Sequence, residues 1–175
     1  MPRGTAIRQF ATRARYRTQQ YAKGIRPRVS IEEAATVRGL LAPAELALFL
    51  GMQRRDQRHS LDLHRALAAE GAPSTSLIAA LVHDVAKEEL RDWQRVLFVL
   101  LEAARPGLGR PLEAESGTAW RRGLWCLRHH ARLSAERLAA AGSAARVIEI
   151  VAAHTGPPPQ GDPEIARFIE WDSRT

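Results

Sequence analysis

The chain has one cysteine, Cys126, among 175 residues. That excludes an internal disulfide, and it excludes a metal site built mainly on thiolates. Such sparing use of cysteine suits a reducing compartment, and a cytoplasmic location is expected. Long apolar runs are missing too. The run Val96–Leu101 is bounded by Arg95 and Glu102, whereas a membrane-spanning helix needs roughly 20 apolar residues. No membrane span is expected, and the basic N-terminal residues are not followed by the apolar stretch of a secretory signal. Strand signals are scarce: no long apolar/polar alternation occurs, and no Asn-Gly or Asp-Gly turn.

Acidic residues are absent from positions 1–31, which carry Arg3, Arg8, Arg13, Arg15, Arg17, Lys23, Arg26 and Arg28. The net charge of +7 therefore belongs to one leader, and the rest of the chain is nearly neutral. The plainest reading of 1–30 is a solvated basic arm, with a basic helix over 5–22. Its charge would also suit contact with nucleic acid or an anionic surface. An Arg-rich, acid-free leader further has the composition of an organelle transit peptide.

What is present is helical. Ala and Leu abound, and apolar residues return every three or four positions. An all-α, single-domain fold over 31–175 is expected. Ser30 with Glu33 reads as a capping box opening a helix over 31–40. Pro43 suits the first turn of a helix over 43–52. Further helices are expected at 54–70, ending at Gly71; at 77–87, opened by Ser74 or Ser76; and at 89–104, closed by Pro106-Gly107. A loop over 106–117, with at most one helical turn, precedes helices at 118–128, 132–141, 144–154 and 163–172.

The chemistry-bearing residues sit on these helices. His59 shares a face with Leu63 and Leu67, and His83 with Ala79 and Ala80. His154 closes a helix whose inner face carries Ile150 and Val151, and Asp172 lies with Phe168 and Ile169. A lone histidine on an apolar face is usually a satisfied core residue. A buried carboxylate beside a histidine, as in His83-Asp84, is harder to explain without a cation or hydrogen bonds to offset its desolvation. Imidazole nitrogen with carboxylate oxygen suits iron, manganese, zinc, cobalt or nickel better than calcium.

The order His59, His83-Asp84, Asp172 resembles the metal motif of the HD-domain superfamily. The stretch His83-Asp84-Val85-Ala86-Lys87 is similar to its H-D-[IV]-[GA]-K signature. His130-Ala131-Arg132-Leu133-Ser134-Ala135 and His154-Thr155-Gly156 resemble the branch with two extra histidines and a second metal, closest to the bacterial symmetrical dinucleoside-tetraphosphate hydrolases. Ser134 stands where that branch has Gly. The resemblance spans about residues 50–172. It implies a helical metal-dependent phosphohydrolase that acts on a nucleotide or other phosphate ester through a metal-bound hydroxide. It implies one or two divalent transition-metal ions (Fe, Mn, Zn, Co or Ni) held by His59, His83, Asp84, His130, His154 and Asp172. Asp84 and Lys87 would serve catalysis, and Lys87, Arg55, Arg58 and Thr155 would bind substrate. The alternative is a non-catalytic metal- or nucleotide-binding regulatory module. Of the neighbours His129 and His130 only one can face the metals squarely, and His130 fits the motif. His64, about 140° around the helix from His59, is expected to be a surface or packing residue.

Overall fold

A computed structural model describes residues 29–175; the expected helix at 5–22 and nearly all of the basic leader lie outside them. Among the described residues the chain is all-helical, with no strand. The α-helices are α1 (Ile31–Leu40), α2 (Pro43–Gly51), α3 (Arg54–Ala69), α4 (Ser74–Val82), α5 (Asp92–Ala104), α6 (Ala119–Ala140), α7 (Ala145–Ala153) and α8 (Pro163–Asp172). Short 3₁₀ turns occur at Val85–Lys87 and Arg110–Leu112. No helix among the described residues is long and apolar enough to cross a membrane.

Local sequence explains most of the boundaries. Ser30 Oγ accepts the Glu33 N–H at 3.1 Å while Glu33 Oε2 accepts the Ser30 N–H at 2.8 Å, which completes the capping box of α1. Pro43 sits in the first turn of α2. Gly71 ends α3 at φ +70°, a left-handed conformation costly to other residues.

Two expectations need correction. Residues 118–128 and 132–141 form one helix of 22 residues, because nothing between Arg128 and Leu133 interrupts the backbone hydrogen-bond ladder. The helix expected to reach Lys87 stops at Val82, and the chain tightens into the 3₁₀ turn after Asp84. That helix does open at Ser74, with Pro73 as its N-cap, while Ser76 Oγ donates to Glu164 Oε1 at 2.6 Å.

Helix α4 runs through the centre and packs on α3, α7, α2 and α8, while α6 lies along α7 and the 3₁₀ turn. The core between them includes Leu63, Leu67, Leu81, Val82, Leu138, Ile150, Val151 and Phe168, all buried. This packing brings the middle of α3 and α6 and the C-terminal ends of α4, α7 and α8 to one place.

Candidate metal centre

Five helices supply the residues gathered there. His59 comes from the middle of α3 and His130 from the middle of α6; His83 and His154 are the C-caps of α4 and α7, and Asp172 ends α8. Their rings form a chain of edge-on neighbours, with centroids 5.2 Å apart for His59–His83, 5.1 Å for His83–His154 and 5.1 Å for His154–His130. Phe168 lies against His83 and His154 as an apolar floor, 6.0 and 6.5 Å away.

The polar distances show two overlapping clusters. Asp172 Oδ1 is 2.9 Å from His59 Nε2 and 3.4 Å from His83 Nε2. Asp84 Oδ2 is 3.5 Å from His83 Nε2, and Asp84 Oδ1 is 3.6 Å from His130 Nε2 and 3.8 Å from His154 Nε2. His59, His83 and Asp172 can offer ligand atoms within 4.8 Å of one another, and so can His83, Asp84 and His154. His83 belongs to both sets. All six residues expected as ligands thus lie together, with His130 joined through Asp84 and His154.

Backbone carbonyls orient three of the rings. Nδ1 of His83 donates to Ala80 O at 3.0 Å, Nδ1 of His130 to Leu127 O at 2.7 Å, and Nδ1 of His154 to Val151 O at 2.6 Å. A carbonyl only accepts, so Nδ1 carries the proton in each ring. In its neutral form each ring then turns the lone pair of Nε2 toward the cluster, as in metal sites whose ligand tautomer is fixed by an outer hydrogen bond.

Three observations show that this arrangement fits a divalent cation. His83 Nε2 is buried without a hydrogen-bond partner, with the Asp84 and Asp172 oxygens 3.5 and 3.4 Å away, and such an atom is costly unless something compensates it. The donor set is imidazole nitrogen and carboxylate oxygen, which suits transition metals. The partial negative charge at the C-terminal ends of α4, α7 and α8 favours a cation and disfavours the Asp172 carboxylate placed there.

Electrostatics divides the histidines. Burial disfavours a charged ring at His83, but the carboxylates of Asp84 and Asp172 outweigh it and raise its pKa to about 9. At His154 burial dominates, reinforced by His83, and the pKa falls to about 4. Burial, with Lys87, also holds His130 well below the ordinary histidine range. Burial would raise the carboxyls of Asp84 and Asp172. Lys87 and His83 overcome it at Asp84, and His59 and His83 at Asp172, so both stay well below the ordinary range.

A histidine must be neutral at Nε2 to bind a metal there, so a cation taken up at His83 near pH 7 displaces a proton. His154 is already neutral and releases none. Cation affinity is accordingly expected to rise with pH until about 9, with about one proton released per cation at pH 7. Calorimetry in buffers of differing protonation enthalpy measures that release. Uptake without proton release would rule out His83 as a ligand.

The remaining expected site residues belong to neither triad. Lys87 Nζ donates to Asp84 Oδ2 at 2.9 Å and stands 2.7 Å from Oδ1, so it pairs with a carboxylate of the cluster itself. Arg55 pairs with Asp92, and Arg58 with Glu33 and Asp62. Thr155 is exposed just beyond His154. His59 and Asp172 are the most exposed of the six expected ligands, with side chains 23% and 21% exposed. His129 stays outside the cluster and packs on Trp125, centroids 4.9 Å apart. His64 also stays outside, half-buried, with its Nε2 unpartnered.

Sequence reasoning missed the supports of the turn that carries Asp84 and Lys87. Arg95 makes a two-pronged pair with buried Asp56, at 2.9 and 2.6 Å, and donates to Lys87 O at 3.2 Å. Gln53 donates to the carbonyls of Glu88, at 3.0 Å, and Leu90. One signal was available: Asp56 falls on the helical stripe of Ser60, Leu63 and Leu67, an acid where an apolar residue is expected. Compared with models of known families, with curated proteins and with solved structures, the chain matches none.

Proposed function

We propose that the chain is a metal-dependent phosphohydrolase of the HD type, acting on a nucleotide or another phosphate ester. The reading is carried by the meeting, from distant positions in the sequence, of His59, His83, Asp84, His154 and Asp172 in two triads that share His83, with His130 beside Asp84. One or two ions of iron, manganese, zinc, cobalt or nickel, held there, would activate water and draw charge from a phosphoryl oxygen.

The protein's own groups have separable roles. His130 and His154 stay neutral, so their Nε2 atoms remain donors to a cation at physiological pH. Asp84 and Asp172 stay ionised and supply the negative charge that holds it. Asp84 has its two oxygens near different histidines, Oδ2 near His83 and Oδ1 near His130 and His154, and its negative charge would help to hold a cation there. Lys87 places an ammonium beside them, where a substrate phosphate oxygen would find a positive partner. Arg55 and Arg58, one turn or less before His59, would guide an anionic substrate by exchanging their present carboxylate partners for its phosphates.

Metal content of the purified protein, followed by turnover assays with each of the five metals, tests the proposal. Nucleotides, dinucleoside polyphosphates and p-nitrophenyl phosphate form the substrate panel. Release of phosphate or nucleotide is expected with at least one metal. Protein that holds metal and binds nucleotide but forms no product with any of them would overturn the hydrolase reading in favour of a regulatory module.

A further inference from the structure

Asp84 and Lys87 sit on either side of a buried two-residue step, Val85-Ala86, in the 3₁₀ turn. That turn is too short to satisfy its own backbone groups, and buried backbone groups must find partners. Helix α6 supplies them. Ser134 Oγ accepts the Ala86 N–H at 3.2 Å, and Arg137 Nη1 donates to Val85 O at 2.9 Å. These are the two polar ends of a single peptide unit.

Ser134 is wholly buried and lies one turn after His130, on the same face of α6. The helix that brings His130 Nε2 to 3.6 Å from Asp84 Oδ1 therefore also grips the backbone next to Asp84. Arg137 is held in turn by Glu88 Oε1 at 2.6 Å. The two contacts fix both the height of the turn along α6 and its rotation, and with them the separation of Asp84 from His130.

We infer that Ser134 and Arg137 are positioning residues that set the Asp84–His130–His154 half of the metal centre by gripping the Val85–Ala86 peptide. The inference rests on the metal-centre reading above and assigns a task to residues outside the ligand set.

Cobalt(II) serves as the probe, on the full chain. Its visible absorption reports coordination, and competition with a chelator gives affinity. Ser134→Ala and Arg137→Ala are each expected to weaken cobalt binding by about 10- to 100-fold, the range for outer groups that orient ligands, and to alter the cobalt spectrum. Ser134→Thr, which keeps a hydroxyl, should restore the wild-type spectrum. Ser76→Ala removes another buried hydroxyl, one bonded to Glu164 rather than to the turn, and should leave the spectrum unchanged. Should Ser134→Ala fail to fold, Arg137→Ala decides, since its side chain is partly exposed. Wild-type protein that takes up no cobalt would sink the metal reading itself. Wild-type protein that binds cobalt, with both alanine variants matching it in affinity and spectrum, would overturn this inference alone.

Discussion

Asp84→Asn should abolish tight metal binding while leaving the helices in place. The amide has nearly the same shape as the carboxylate, but it removes the charge that faces Lys87, His83, His130 and His154. Loss of an outer orienting group typically costs 10- to 100-fold in metal affinity, so loss of a charged ligand should exceed about 100-fold. If the chain is the phosphohydrolase proposed above, turnover should fall at least as far. Lys87 would be left beside a neutral amide, which removes its counter-charge as well. Chelator competition and circular dichroism on the same sample check both halves of the expectation. Wild-type affinity in a folded Asp84→Asn variant would show that the carboxylate is not a ligand.

Asp56→Ala should be the most destabilising single change away from the ligands. Asp56 and Arg95 form a two-pronged pair with side chains only 6% and 13% exposed. Removing one member of a buried pair leaves the other uncompensated, at a cost of about 3–5 kcal/mol. For a chain of this size that lowers the melting temperature by roughly 6–20 °C. Replacing both members by apolar residues, Asp56→Leu with Arg95→Met, should cost clearly less, because no charge remains buried. A double variant as unstable as Asp56→Ala would mean that the hydrogen bond to Lys87 O, rather than the orphaned charge, carries the effect. Calorimetric melting of the two variants distinguishes these cases.

The elements were legible where local chemistry decides them. The Ser30–Glu33 box, Pro43 and Gly71 each act through neighbours a few residues away, and the helix limits they imply agree with the structure. The break expected between residues 128 and 132 had no such residue behind it, and α6 runs straight through. The turn after Asp84 was hidden for the opposite reason. Val85-Ala86-Lys87 continues a helical pattern acceptably, and what bends it are distant partners, Ser134, Arg137 and Arg95.

The ligand candidates were legible because each is a polar residue set among apolar ones at helical spacing. His130 was separated from His129 by its motif register, and the geometry agrees: His130 joins Asp84 while His129 covers Trp125. The pairing of the basic residues was less readable. A sequence shows that Arg55, Arg58 and Lys87 are basic, but their carboxylate partners, Asp92, Glu33 and Asp84, are set by tertiary packing except where they lie one turn away.

The membership of His83 in both triads limits how the centre can fill. One ring nitrogen has one electron pair, so it cannot be divided between two ions. If Asp172 and His59 claim it for the first, the second must make do with Asp84, His154 and His130; if the second claims it, the first keeps only two protein donors. If the centre takes two ions, two equal and independent affinities are thus incompatible with this geometry, and a metal titration should show unequal steps.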